Sequence, residues 1–210
     1  TDALRPTFSA AASASYPSTL GSVSPERNTS VPPSPTTDEM LTSVTVPVET
    51  RAPGGATTAY LVGRETTLLA DPPARTADLD AAVADRGVDH VAVTVWCRRG
   101  RERRFREATG VTPDRTFGEG TTLPTDPPVT VLDTPGHAPD HVAFAFEHST
   151  DEEQNAATEV LVGDLAVAEG SVVVGAPEGD VRAYCTALRR LLSWDARRLH
   201  PAHGPTITDP

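Results

Sequence analysis

The sequence predicts an α/β sandwich, in which two β-sheets pack against each other and helices cover their outer faces. Two observations favour this fold class. Runs with the apolar content of strands open each half of the folded region, and segments with helical spacing follow them. The chain has 210 residues, of which 38% are hydrophobic, and this is enough to form one core.

Eight strands are predicted, each a short run rich in β-branched and other apolar residues between turn residues. They are expected at residues 43–50, 57–63, 65–70, 89–94, 129–133, 141–147, 159–164 and 171–175. The sequence RAPGGA at 51–56 predicts the turn between the first two strands, because proline and paired glycines favour turns. This order of elements suits two sheets packed together.

Three helices are predicted, at residues 76–87, 101–110 and 179–198. In the first helix, Leu79, Ala82 and Val83 fall on one face, and Gly87 stands at the C-terminal cap. The third helix is the longest, and it carries a predicted apolar stripe. The stripe consists of Val181, Tyr184, Leu188, Leu191 and Leu192.

The first 40 residues differ from the rest of the chain because they are rich in Ser, Thr, Pro and Ala. Such a segment does not bury enough apolar surface to offset the entropy lost on ordering. We therefore expect a disordered tail at residues 1–40 and one folded domain at residues 43–210.

The composition limits the partners and the compartment of the protein. Its net charge is −11 and it contains no Lys, a pattern that suits either a protein kept soluble in a salt-rich, halophilic cytoplasm or an ordinary acidic domain. The charge disfavours binding to nucleic acid or to an anionic membrane, so neither partner is expected. Two cysteines are too few for a disulfide framework. The absence of a long apolar run and of a signal-peptide core favours a cytoplasmic location.

Three short motifs combine turn residues with potential metal ligands. They are LDTPGHAPDHV with His137, LVGDL with Asp164, and PAHGP with His203. Imidazole and carboxylate groups suit zinc or iron, and turns that follow strands aim their side chains at a common face. Each residue alone is more often an ordinary turn residue, so the metal hypothesis depends on the three together.

Together these motifs resemble those of the metallo-β-lactamase fold superfamily of metallo-hydrolases, and the resemblance covers residues 43–210. It implies an αββα sandwich, with two mixed β-sheets flanked by helices and a two-metal site at one edge of the sheets. It also implies hydrolysis by a metal-activated water, and His137 and His203 as terminal ligands. Asp164 would bridge the metals, and His141 falls at a frequent family position that is not usually a ligand.

The main signature of this superfamily, His-x-His-x-Asp-His, is missing. It follows a strand that ends in Thr, and here that strand is HVAVT. The residues at the four expected ligand positions are Val95, Cys97, Arg99 and Gly100. The resemblance therefore implies a degenerate member, a pseudoenzyme with weak or absent hydrolysis and at most one zinc ion. It assigns no catalytic residue and no particular small-molecule substrate.

Cys97 offers one way to rebuild a metal site. Together with His137 and Asp164 it would give zinc three protein ligands and an open position, as in a mononuclear zinc hydrolase. The alternative is that Cys97 is a small, partly buried apolar residue. We favour this alternative because Arg99 would repel a metal cation.

The arginines that follow the lost signature suggest a function of another class. They stand at the start of the predicted helix 101–110, where the helix dipole and free N–H groups favour anions. Arg98, Arg99 and Arg101 are candidates for an anion-binding or regulatory module that needs no metal. The same guanidinium groups would equally form salt bridges with Asp164, Asp133 or Asp140 and fill the former metal site. Both interpretations stay open.

Overall fold

A computed structural model describes residues 44–52, 55–72, 76–95, 118–148, 156–174, 179–208 and 210. The tail predicted at residues 1–40 and the helix predicted at 101–110 lie outside the described residues, so both stay predictions. No helix in the described part of the chain is both long enough and apolar enough to cross a membrane.

The first sheet is mixed and has four strands in the order β1-β2-β3-β4. The strands are β1 (Thr45–Ala52), β2 (Gly55–Val62), β3 (Leu68–Ala70) and β4 (His90–Ala92). The first two pairings are antiparallel, whereas β3 and β4 are parallel. Parallel neighbours need a crossover connection, and the helix α1 (Ala77–Arg86) lies in it.

The ends of α1 follow from its sequence. The Thr76 hydroxyl accepts a hydrogen bond from the Leu79 N–H at 3.1 Å and caps the first turn. Gly87 has φ 78°, and its N–H donates to the carbonyl of Val83. Leu79 and Ala82 are buried. The predicted helix, its C-terminal cap and its apolar face are therefore confirmed.

The second sheet is also mixed and has six strands in the order β10-β9-β8-β7-β6-β5. They are β5 (Thr122–Leu123), β6 (Val129–Asp133), β7 (Val142–His148), β8 (Ala157–Gly163), β9 (Arg198–Pro201) and β10 (Ile207–Thr208). Only the β8–β9 pairing in this sheet is parallel. Helix α2 (Val181–Leu192) lies in the connection between these two strands.

Three apolar clusters define the layers of the molecule. One lies between the sheets and includes Tyr60 and Leu68 from the first sheet and Phe144 from the second. Another joins α1 to the outer face of the first sheet, and the last joins Ala187 and Leu191 of α2 to the second sheet. The described residues thus form an αββα sandwich with two mixed sheets, which confirms the predicted fold class.

The sequence was misleading around α2. The strand predicted at 171–175 is wrong, because residues 171–174 form no strand and Val173 is 74% exposed. The helix predicted to reach residue 198 ends at Leu192, and Arg198 instead begins β9. The predicted stripe is only partly correct, because Val181 and Leu192 are exposed while Ala187 is buried.

Candidate metal centre

Three strands bring the predicted ligands together. His137 lies in the turn after β6, Asp164 directly follows β8, and His203 lies in the turn after β9. His137 Nε2 is 3.6 Å from Asp164 Oδ2, and His203 Nε2 is 3.3 Å from Asp164 Oδ1. One carboxylate therefore faces two imidazoles, with one ring at each of its oxygens.

The turn that carries His137 is packed tightly against α2. Gly136 has φ +144°, and a Cβ atom there would lie 2.3 Å from the Cα of Tyr184. The Gly136 carbonyl accepts a hydrogen bond from the Asp180 N–H at 2.8 Å, directly before the helix. The Tyr184 hydroxyl also donates to the Leu165 carbonyl at 2.8 Å, next to Asp164. Helix α2 thus supports two of the three candidate ligands.

The hydrogen bond at Nδ1 determines the tautomer of His137. This atom lies 3.0 Å from the carbonyl oxygen of Val173. A carbonyl oxygen only accepts hydrogen bonds, so Nδ1 carries the proton. In the neutral ring, Nε2 is then an acceptor that faces the Asp164 carboxylate, which also only accepts. A metal cation between the two groups would interact favourably with both of them.

His141 closes the same turn from inside the protein. Its ring is 1% exposed, and Nδ1 lies 2.7 Å from the hydroxyl oxygen of Thr134. Nε2 has no hydrogen-bond partner among the described residues. Burial lowers the pKa of His141 to about 4, while the charge of Asp164 acts in the opposite direction. The ring is therefore neutral at pH 7.

The turn that carries His203 is held by both sheets. From β2, the Tyr60 hydroxyl donates to the Pro201 carbonyl at 2.7 Å, and the Thr57 hydroxyl donates to the Ala202 carbonyl at 2.8 Å. The Ala202 N–H donates to the Gly163 carbonyl at 2.8 Å, next to Asp164. Burial raises the pKa of Tyr60, so its hydroxyl keeps its proton as a donor. These contacts place His203 beside the end of β8.

A buried polar cluster lies below this turn. His200 Nε2 is 2.7 Å from Glu159 Oε2, and Arg198 Nη1 donates to Glu159 Oε1 at 2.9 Å. His200 Nδ1 lies 3.2 Å from the Thr206 hydroxyl oxygen. Sequence reasoning missed this cluster, because its members gain their partners only through the pairing of β8 with β9.

Solved structures of other proteins are similar to this αββα sandwich. TTHA1623, solved in a di-iron-bound form, is 29% identical, with a TM-score of 0.57 over 78% of this chain and 94% of that chain. A metallo-β-lactamase family protein from Thermus thermophilus is 21% identical, with a TM-score of 0.56 over 79% of this chain and 74% of that chain. The chain has the metallo-β-lactamase fold. The resemblance predicted from the sequence is confirmed.

Sequence comparison adds a shorter match. The β-lactamase-like protein 2 homolog of Drosophila melanogaster is 32% identical over 82 residues, which are 39% of this chain and 24% of that relative. The matched stretch thus spans about a quarter of the curated relative. No protein-family model matches the chain. This sequence match agrees with the metallo-β-lactamase fold that the solved structures show.

Hydrogen bonds hold the backbone directly before the first position of the missing signature. Asp71 Oδ1 accepts a hydrogen bond from the Thr94 N–H at 2.8 Å, and Oδ2 accepts one from the Thr94 hydroxyl at 2.9 Å. The next residue, Val95, is 2% exposed, and its side chain has no metal-binding atom. Cys97 and the arginines at 98, 99 and 101 lie outside the described residues, so the Cys97 zinc site and the anion site stay predictions.

The three retained side chains fit a metal ion in type and spacing but are too few for a two-metal centre. Ligand atoms of a tetrahedral zinc site lie about 3.3 Å apart, since each is about 2.0–2.1 Å from the metal. The contacts at Asp164, 3.6 and 3.3 Å, match that spacing. They involve different oxygens, however, and the described ranges contain no group of three or more His, Cys, Asp or Glu arranged to hold a metal.

Proposed function

We propose that the chain is a degenerate metallo-hydrolase of the metallo-β-lactamase fold. It binds at most one divalent metal ion, at the Asp164 carboxylate with His137 or His203 as the second protein ligand, and has weak or absent hydrolase activity. The observation that carries this proposal is the divided arrangement around Asp164, with one imidazole at each carboxylate oxygen. A metal ion at either oxygen has two of these protein ligands, one fewer than a catalytic zinc normally has.

The residue at the first lost ligand position supports the same conclusion. The side chain of Val95 is buried and has no lone pair, so it is not a metal ligand. The similar protein TTHA1623 is described in a di-iron-bound form. Iron and zinc both accept imidazole and carboxylate ligands, and either metal is therefore a reasonable probe of the remaining site.

The remaining side chains have distinct roles toward such an ion. A bound metal would polarise a substrate oxygen or lower the pKa of a bound water. The Val173 carbonyl fixes the His137 ring so that its Nε2 lone pair faces the site. Asp164 supplies the negative charge that attracts the cation. Incomplete coordination would hold the ion loosely, so water activation is expected to be poor.

Metal titration of the chelator-treated protein tests the proposal. Calorimetry with Zn²⁺ and Fe²⁺, together with elemental analysis, is expected to give at most one ion per chain. Asp164→Asn is expected to abolish this binding, since Asp164 makes both imidazole contacts. Asp140→Asn is the matched control, because Asp140 is an exposed acid in the same turn as His137, and it is expected to leave binding unchanged.

Activity is measured on the same samples with ester, thioester and phosphodiester substrates. Turnover is expected to stay close to that of the metal ion alone in buffer. Two tightly bound ions per chain, together with kcat/KM above about 10⁴ M⁻¹ s⁻¹, the lower end for ordinary enzymes, would contradict the proposal.

A further inference from the structure

We infer that His141 and His200 are positioning residues, each of which clasps the ends of the turn that carries a candidate metal ligand. The first ligand turn is residues 134–141, with His137 near its middle. The second ligand turn is residues 200–206, with His203 at its middle. The inference rests on the proposed function, because it concerns the same two ligands.

The first ligand turn is closed by two bonds between its end residues. The Thr134 hydroxyl oxygen lies 2.7 Å from His141 Nδ1, and the Thr134 N–H donates to the His141 carbonyl at 3.0 Å. Both residues are buried. Inside the turn, the Gly136 N–H donates to the Ala138 carbonyl at 3.1 Å. His137 therefore projects from a short loop whose ends are fixed.

The second ligand turn has the same kind of closure, with the order of the two residue types reversed. His200 Nδ1 at its start lies 3.2 Å from the Thr206 hydroxyl oxygen at its end. The other ring nitrogen of His200 lies 2.7 Å from the buried Glu159 carboxylate, which is on β8. This clasp is therefore tied to the strand that ends at Asp164.

The unpartnered nitrogen of His141 indicates what its imidazole contributes. Nε2 is buried without a hydrogen-bond partner in the described ranges, which is unfavourable. An apolar side chain of similar size would avoid this penalty but would lose the bond to Thr134. The Nδ1 bond is thus the interaction that an imidazole adds at this position.

Clasping a turn acts on metal binding through the ligand side chain and not by contact with the metal. A loop whose ends are joined samples fewer positions of its central side chain, so less conformational entropy is lost when that side chain binds a metal ion. Partners that orient metal ligands typically change metal affinity by about 10–100-fold. Loss of either clasp is expected to weaken metal binding within that range.

The test removes one hydroxyl at a time. Thr134→Val and Thr206→Val keep the side-chain shape but delete the bond, whereas Thr134→Ser and Thr206→Ser keep the hydroxyl. Thr67→Val is the matched control, because the buried Thr67 hydroxyl has no hydrogen-bond partner in the described part of the chain. The readout is the dissociation constant of Co²⁺, followed by its visible absorption. The Val variants are expected to bind about 10–100-fold more weakly, while the Ser variants and Thr67→Val bind like the natural protein.

A second readout needs no metal. In the metal-free protein, long-range ¹H–¹⁵N NMR spectra report the ring nitrogens of His137 and His203. Thr134→Val is expected to broaden or split only the His137 signals, and Thr206→Val only those of His203. If a Val variant does not fold, Thr→Ala at that position replaces it.

The outcomes separate the two proposals. If the natural protein binds no Co²⁺, the metal-binding part of the proposed function fails, and the ring signals alone decide the inference. Unchanged ring signals in both hydroxyl-deleted variants overturn the inference in every case. If Co²⁺ binds and the Val variants retain the natural affinity, the clasps do not position the ligands, although the proposed function stands.

Discussion

The two sides of the candidate metal centre differ in their side chains. One side follows β6, β8 and β9, and the other follows β4. After β6, β8 and β9, the candidate ligand side chains are present, and hydrogen bonds hold the turns that carry them. After β4, Asp71 still holds Thr94 with two hydrogen bonds, yet the next residue is a buried valine. Backbone support and ligand chemistry are therefore separable, and at position 95 the β4 side has the support without a ligand side chain.

A structural reason for this support is visible around Thr94. Gly163, directly before Asp164, packs so closely that a Cβ atom there would lie 2.1 Å from the Thr94 hydroxyl oxygen. The Thr94 carbonyl also accepts a hydrogen bond from the Val142 N–H at 2.8 Å, at the start of β7. Thr94 thus supports the retained side of the centre, which does not depend on a metal ligand at position 95.

The largest predicted effect tests this contact between the two sides. Gly163→Ala is expected to lower the free energy of unfolding by about 2–5 kcal/mol, because left-handed backbone strain adds to overpacking against Thr94. The matched control is Gly120→Ala. Gly120 has φ +76°, similar in sign to the +53° of Gly163, but a Cβ there meets nothing within 4 Å.

The control is expected to lose only about 1–2 kcal/mol, from backbone strain. Urea denaturation of both variants measures the difference. Equal losses would mean that the end of β8 does not depend on the packing of Thr94, and the structural reason given for the retained support would be wrong.

A smaller effect concerns the buried imidazole on the retained side. The pKa of His141 is lowered to about 4 in the fold, against about 6.5 in an unfolded chain. The unfolded state therefore binds a proton first, so this stabilisation is complete above pH ~6.5 and is lost as pH falls toward 4. The loss is expected to reach about 3 kcal/mol.

Comparison of the natural protein with His141→Gln isolates this contribution, because the carboxylates titrate in both proteins. Between pH 7 and pH 4, the natural protein is expected to lose more unfolding free energy than the variant. Parallel pH profiles would show that His141 does not titrate with a lowered pKa.

The smallest effect is expected at the exposed edge of the retained side. Arg190 on α2 donates to both carboxylate oxygens of Glu119, which also accepts from the Asp133 N–H. The hydrogen bond from Arg190 lowers the pKa of Glu119, so this stabilisation is present at neutral pH and is lost on acidification. Thermal unfolding of Glu119→Gln at pH 7 is expected to show a loss of about 0.2–1 kcal/mol, as for exposed ion pairs. A loss as large as that of Gly163→Ala would place the main support of this side at its surface.

The fold was largely predictable because local patterns specify most of its elements. Strand β6 and helix α1 appear where alternation and capping residues indicate them. Strand β9 was missed for two reasons. Its pairing with β8 is non-local, and the helical spacing predicted for residues 179–198 runs into it without a break. The apolar run at 171–174 was wrongly predicted as a strand, because strand propensity does not supply a neighbouring strand to pair with.

The site was predictable only in part. The motifs indicated His137, Asp164 and His203, and the structure brings both imidazoles within 3.6 Å of the Asp164 carboxylate. The partners that hold these ligands were not predictable. Tyr60 lies 141 residues before the carbonyl that it holds, and the Val173 carbonyl lies 36 residues after His137. Contacts of this kind leave no local pattern in the sequence.

The zinc content of a rebuilt protein tests the central claim most directly. The four substitutions are Val95→His, Cys97→His, Arg99→Asp and Gly100→His. They restore the lost signature, whose ligands would join Asp164 and its two imidazoles. We predict that the folded variant binds two zinc ions per chain, whereas the natural protein binds at most one. A folded variant that holds no more zinc than the natural protein would contradict the account, because the residues after β4 would then not occupy the lost ligand positions.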